Sequence, residues 1–598
     1  MHDPDVERWL DAFFASWHAR RPVDATFIGV HDYDHALPDF SENGAGDALA
    51  DMRDLLRRRP DPAGALASEQ GAPAPASEHG TALPAAAPDA IGALDLRLAR
   101  GHFLLQIAEY ESLHFHRGNP ALYTGEAVFG VLSLLLTDFA PLETRVIAAT
   151  ERLARVPTFL AQGSANVRAA PVAWTERARR ECEGALAVLR GGVQALRAGW
   201  TRSAVHARVA DSFLAAAEQA ARAIAAFATW LETTLRHRRA DREGCGAELF
   251  ALYLREGHAL DAGAAGIEAY ARERLEDAVR ALAARVAEAG VRDEAEANAR
   301  LAALHAPVDA YYARYHEIRD EVQRVAEEHD LVTWPDDPIR FVPRPVWVRT
   351  AAPHLYFLFY RSPAAFGRPD VHEVLVTPID GTMPPDQQAA LLRATNDRVI
   401  RLNHVIHHGG IGHHVQNGHA HRSASRIGRV AAIDGACRIV MTCGGTMAEG
   451  WACYATDLMA ESRALTALER VVEARSRIRM CARAIVDVRL HKGRLTIDGA
   501  ASFYVQQAGM APDAARAEAV KNSMFPTTAL VYLMGRDAIH ALRDEVSERL
   551  GSRFAPRAFH DALLSHGSIP VSLAAAEVKR RVLEPARIPA GSIPGERT

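Results

Sequence analysis

A chain of 598 residues, 48% hydrophobic and 24% charged, carries enough apolar mass for a large buried core and has a globular composition. A net charge of -5 at pH 7, with no long basic run, points away from nucleic acid as the main partner. The start, MHDPDVERWLDAFF, has acids where an export signal needs a basic segment, and the longest greasy run, AVFGVLSLLL (127–136), is too short to span a bilayer.

Six cysteines, Cys182, Cys245, Cys437, Cys443, Cys453 and Cys481, are too few and scattered for a disulfide scaffold, and no CxxC pair suggests a zinc knuckle. They read as reduced core residues, so the expected location is cytoplasmic, with no membrane partner.

In chain order, PDPAGALASEQGAPAPASEHGTALPAAAPDA (60–90) is a Pro/Ala/Gly-rich insert without apolar period, expected as a mobile surface loop. Helical periodicity follows, from about 90 to 330. Leu214, Ala217, Ala221, Ile224, Phe227 and Leu231 recur at threes and fours, and Leu275, Val279, Leu282 and Val286 repeat the pattern. RFVPRPVWVRTAAPHLYFLFYRSP (340–363) instead has β-branched and aromatic runs broken by prolines, which predicts short edge strands, and DVHEVLVTP adds another candidate. Helical signals resume over 385–582. The expected fold is mainly α, one domain over 1–598, with a minor strand element at 340–378 and a helical half at 385–582.

LNHVIHHGGIGHHVQNGHAH (402–421) holds seven of the 27 histidines. Imidazole is a common zinc ligand, and in the HExxH metallopeptidase pattern two histidines four apart bind the ion while the intervening Glu polarises a water. Here His404 and His408 are four apart and His407 and His413 six apart. Gly409, Gly410 and Gly412 let the backbone leave the helix and re-aim the second imidazole, so both pairs are possible. A third, acidic ligand is offered by GGTMAEGWACYATDLMAE. There Met447, Trp451, Tyr454 and Leu458 make an apolar stripe and Glu449 sits in the first turn, as a solvated helix-start acid or an inward ligand.

Further on, Arg483, Asp487 and His491 are spaced four apart in a helix that otherwise reads as core, so they must be mutually hydrogen-bonded to be tolerated. Such lines serve as substrate clamps or as plain structural networks. Tyr532 and Gly535 interrupt another apolar helix, and the phenol is either an oxyanion donor or a satisfied core hydroxyl.

Taken together, HHGGIGHHVQ (407–416), EGWACY (449–454), DATFIGVHDYDHALPDFSE, ARAIVDVRLH and FPTTALVYLMGRDAI resemble the bacterial family catalogued as domain-of-unknown-function 885. That family is mostly helical and similar in pattern to zinc metallopeptidases, with the segment HExxPGHHxQ followed by EGWAxY. The resemblance implies His407, His413 and Glu449 as ligands of one divalent metal, zinc first, with iron or another transition metal as the alternative. His414 and Gln416 fall on the remaining motif positions. Two positions depart: Ile411 replaces the family's proline, and His408 replaces its Glu. His408 is then either an altered base or, with His404 or His414, an additional ligand.

The expected function is therefore a metal-dependent, amide- or peptide-hydrolase-like enzyme acting on a small molecule or short peptide. Its expected catalytic or substrate-binding residues are His408, His491, Tyr532 and Arg483. The alternatives are a repurposed non-hydrolytic metalloenzyme, for a lyase, transfer or oxidative step, and an inactive metal-binding homologue.

Overall fold

The computed structural model describes residues 3–60, 88–201, 204–355, 364–367, 371–430, 434–435, 438–439 and 441–583. The 60–90 insert falls almost entirely outside them, as do Cys437 and 356–363 of the expected strand region.

Helices build the molecule. Pro4–Arg20 starts with the Asp3 carboxylate accepting from the Asp5 amide and buries Trp9, Phe13, Phe14 and Trp17. The greasy run lies in Pro120–Leu136, a core helix started by Asn119 and buried along nearly its whole length. Leu142–Asn166 and Ala207–Thr233 lie side by side, the latter burying Ala217, Ala221, Ile224, Phe227 and Leu231 as its spacing predicts. Gly263–Glu288 differs from expectation. It buries Ile267, Ala271, Ala278 and Leu282 and leaves Val279 half exposed, so its inner face is rotated from the expected one. Small alanines admit close packing on Ala467–His491, and Glu268 turns inward to receive Arg489 at 2.8 Å and the Arg494 guanidinium.

Strand content is small. Ile339–Pro343 pairs in parallel with His372–Val376, in register Ile339↔His372 through Pro343↔Val376, starting one residue before the expected 340–378 element. The VWVR stretch between them is a short helix, Val346–Arg349, entered through Pro345. A two-residue antiparallel pair, Asp434–Gly435 with Arg438–Ile439, was not anticipated. The parallel pair props the histidine segment. The Phe341 ring packs 5.1 Å from that of Tyr315 and lies against Gly409, where a Cβ would come within 2.7 Å of it. No helix among the described residues is long and apolar enough to cross a membrane.

Candidate metal centre

The histidine segment is not an ordinary α-helix. Ile400–Gly409 is π-helical, a form concentrated at functional sites, and its wider turn carries His407 and His408 side by side. The chain then doubles back. The Gly412 amide donates to the Ile406 carbonyl at 2.8 Å, and a Cβ on Gly412 would stand 2.1 Å from the His407 carbonyl oxygen, so only glycine fits. A new helix, His413–Ala420, begins at once. The three rings meet, with centroids 4.7 Å (His407–His408), 4.9 Å (His407–His413) and 5.4 Å (His408–His413) apart. One ring nitrogen from each lies within 4.8 Å of the others.

Glu449 reaches this cluster from Gly445–Glu461. Its Oε2 is 3.4 Å from His407 Nε2 and 3.7 Å from His413 Nε2, long for hydrogen bonds, and that oxygen is out of solvent without a hydrogen-bond partner. A desolvated carboxylate oxygen facing two imidazole nitrogens leaves charge unsatisfied. Ligands about 2.0–2.2 Å from a tetrahedral cation sit roughly 3.3–3.6 Å from one another. The residues therefore fit a divalent ion. Burial pushes Glu449 up, but the contact with His407 and the fields of His413, His407 and Lys521 outweigh it and hold the carboxyl well below its ordinary value. Burial lowers His413 to about 4, with Glu449 opposing. His408 is also held well below its ordinary value, by burial and by His407 and His413. The Nδ1–H of His408 donates to the Asn403 carbonyl at 2.6 Å, which leaves the lone pair on Nε2.

The EGWACY residues hold Glu449 in place. Trp451 Nε1 donates to the Ile411 carbonyl at 2.8 Å, and Ile411 is fully buried. The Tyr454 hydroxyl donates to His560 Nε2 at 2.8 Å, while His560 Nδ1–H donates to the Leu331 carbonyl at 2.6 Å. Gly450 meets Gly535 of Val531–Leu550, and a Cβ on Gly535 would stand 2.0 Å from the Thr446 carbonyl oxygen. This backbone contact sets how closely the helices that carry Tyr532 and Glu449 approach each other.

The remaining predicted residues divide. His404 and His414 are not brought to the cluster. His404 Nδ1 meets the Tyr315 hydroxyl at 3.0 Å, its ring stacked on the phenol, and His414 turns towards Trp334 with ring centroids 6.5 Å apart. Gln416 donates to Ser568 at 2.6 Å. The expected Arg483–Asp487–His491 line is not mutually bonded throughout. Arg483 Nε donates to Glu518 at 2.7 Å and its guanidinium lies 4.7 Å over the Tyr532 ring. Asp487 accepts the amides of Thr527, Ala529 and Leu530, each at 3.0 Å. His491 is fully buried, 3.5 Å from Asp487. Its Nε2–H donates to the Asn522 carbonyl at 2.9 Å and its Nδ1 accepts from the Cys245 amide at 3.0 Å. These contacts place Asp487 and His491 as clamps on neighbouring backbone and Arg483 with Tyr532 beside the Glu449 helix. Glu518 and Lys521, missed from sequence, belong with them. In Pro512–Met524, whose apolar pattern is weak, nothing marked that turn out.

A family profile described as "Bacterial protein of unknown function (DUF885)" matches residues 22–578. The chain belongs to this family. Two solved structures share the fold of this DUF885 protein. One is "a putative lipoprotein of unknown function" from Shewanella oneidensis, with a TM-score of 0.72 at 19% identity, over 96% of this chain and 99% of that one. The other is "the putative lipoprotein from Colwellia psychrerythraea", with a TM-score of 0.72 at 15% identity, over 97% and 100% of the two chains. No curated protein matches the sequence.

Proposed function

We propose that this DUF885 protein is a metal-dependent enzyme in which His407, His413 and Glu449 hold one divalent cation. Zinc is the first choice for two imidazoles and a carboxylate, and the reaction is hydrolysis of an amide in a small molecule or short peptide. The observation that carries this reading is the Glu449 Oε2, desolvated and without a hydrogen-bond partner, 3.4 and 3.7 Å from two imidazole nitrogens. A bound divalent ion supplies Lewis acidity and eases deprotonation of water near neutral pH.

The chain supplies the rest. His408 stands at the position of the family's Glu, neutral because burial disfavours its charge, with Nε2 carrying the lone pair. It accepts a proton there as a weakened base, without the negative charge of a carboxylate, since the burial that keeps it neutral also opposes its protonation; a general base tuned near the working pH contributes typically about 10²–10⁴-fold. Arg483 and Tyr532 orient the substrate from the adjoining helices.

One observation favours a second reading. The nitrogens of His407, His408 and His413 lie within 4.8 Å of one another, which suits His408 as a further ligand in an imidazole-rich site for iron or copper, doing repurposed chemistry. Elemental analysis of protein purified without added metal, followed by His408→Glu, separates the two. A hydrolytic site keeps its metal in His408→Glu and holds or raises amide turnover; a repurposed site loses its native activity or changes metal preference. Protein that takes up less than about one ion per ten chains after reconstitution ends both readings.

The five described cysteines, all without disulfides, support a cytoplasmic location as part of the proposal; the description of the two neighbours as lipoproteins points the other way. Fractionation of cells making the native gene product decides it.

A further inference from the structure

Ala467–His491 presents Arg475, Arg479 and Arg483 at intervals of four, one above the other on one face. The carboxylates they face are already engaged: Glu294 accepts Arg475 Nε at 2.5 Å and Glu518 accepts Arg483 Nε at 2.7 Å. Arg479 lies between them, half-buried, and its Nε is out of solvent with no hydrogen-bond partner. Lys521 follows Glu518 by one turn of Pro512–Met524, adding a cation to the same corner. Arg479 is thus the guanidinium of this row with no hydrogen-bonded carboxylate, in a half-buried region where an uncompensated guanidinium is costly.

This corner adjoins the metal centre. The Arg483 guanidinium stacks 4.7 Å from the Tyr532 ring, and the Tyr532 helix touches the Glu449 helix at Gly535 and Gly450. The fields agree. Burial and the Arg483 charge push Arg479 below its ordinary value, and Lys521 contributes to holding down both Glu449 and Glu518, the latter to about 2 against its burial.

We propose that Arg479, with Arg483 and Lys521 beside it, forms a subsite for a carboxylate of the substrate, so that the amide acted on belongs to a molecule bearing a free acid. The proposal rests on the metal-dependent reading for its place in catalysis, but the subsite itself is built from residues outside the ligand set. Arg479 is the specificity residue: its guanidinium offers a fork of donors that matches a carboxylate and is not consumed by the protein. Arg483 is held by Glu518 and supplies charge and the Tyr532 stack rather than the fork.

The test is calorimetric binding of hippurate and its methyl ester to full-length protein, metal-depleted and zinc-loaded, with inorganic phosphate as competitor. Hippurate is expected to bind both forms at least about tenfold more tightly than the ester, the scale of one charge-assisted contact. Arg479→Gln is expected to erase that preference while leaving zinc content unchanged and without lowering the thermal midpoint. Equal binding of acid and ester, a preference that survives Arg479→Gln, or a preference present only with zinc would each overturn the subsite. Phosphate displacing hippurate below the concentration at which acetate does so would overturn the carboxylate assignment. A retained preference in protein that takes up no zinc would leave the subsite standing and sink the metal reading.

Discussion

The indole N–H of Trp451 donates to the Ile411 carbonyl at 2.8 Å, tying the helix that carries Glu449 to the turn between His407 and His413. The histidine turn and the EGWACY segment are thus one mechanical unit. Trp451→Phe keeps the ring's bulk and deletes the bond. It is expected to cost about 1–2 kcal/mol in stability, by leaving a buried carbonyl unpaired, and to weaken metal affinity roughly 10–100-fold through misplacement of the ligands. Denaturant unfolding and competition with a chelating dye measure the two effects; unchanged affinity would show that the ligands are held independently of the turn.

Glu449→Gln keeps the shape of the side chain but removes the charge facing His407 and His413. Metal affinity is expected to fall by more than the roughly 10–100-fold typical of outer contacts, with far-UV circular dichroism unchanged. Full metal stoichiometry in this variant would remove Glu449 from the ligand set.

Gly535→Ala tests the backbone contact between the Tyr532 and Glu449 helices. The added Cβ would lie 2.0 Å from the Thr446 carbonyl oxygen, which cannot move without its helix, so a loss of about 3 kcal/mol is expected. Gly191→Ala is the control, since nothing lies within 4 Å of its Cβ position; there the change should be neutral or stabilising by up to about 1 kcal/mol.

The pH dependence of stability follows from buried imidazoles remote from the cluster. Burial lowers His491 to about 3, and His114, His258 and His560 to about 4, from an ordinary 6.5. Between those values and 6.5 the unfolded chain binds protons that the folded one refuses. Their stabilising contribution is complete above 6.5 and is lost as pH falls through the window. Asp487 acts oppositely. Burial pushes it up to about 7 despite three backbone donors, so its share of stability falls as pH rises from 3.8 towards 7. Four imidazoles outweigh one carboxyl, and net stability should rise with pH from about 4 to 6.5. His491→Gln should flatten that slope by about 1.4 kcal/mol per pH unit, one proton's worth. Urea titrations at half-unit intervals check the slope; an unchanged slope would show that His491 is protonated in the native state.

Where the apolar spacing is regular and the residues large, the helices are legible: Met447, Trp451, Tyr454 and Leu458 all point inward, as do Ile224, Phe227 and Leu231. The reading fails at Val279, where Ala278, one position away, is buried instead, because a close helix pair selects small residues over greasy ones. At the site, the glycines between His407 and His413 announced a re-aimed histidine, and the structure delivers one. The separation of His404 from His408 was not legible, since both lie in one run and only the π-turn and the Tyr315 hydroxyl send His404 elsewhere.

Local chemistry therefore settled the helical class, the glycine turn and the residue types able to meet an ion. These depend on spacing and backbone freedom within a few residues. Which imidazoles converge, how deep Glu449 sits and where Arg479 stands depend on contacts between segments far apart in the chain: Trp451 with Ile411, Gly450 with Gly535, Arg483 with Glu518. Those were decided only when helices packed, because side-chain direction and desolvation are properties of the assembled core and not of any one strand of letters.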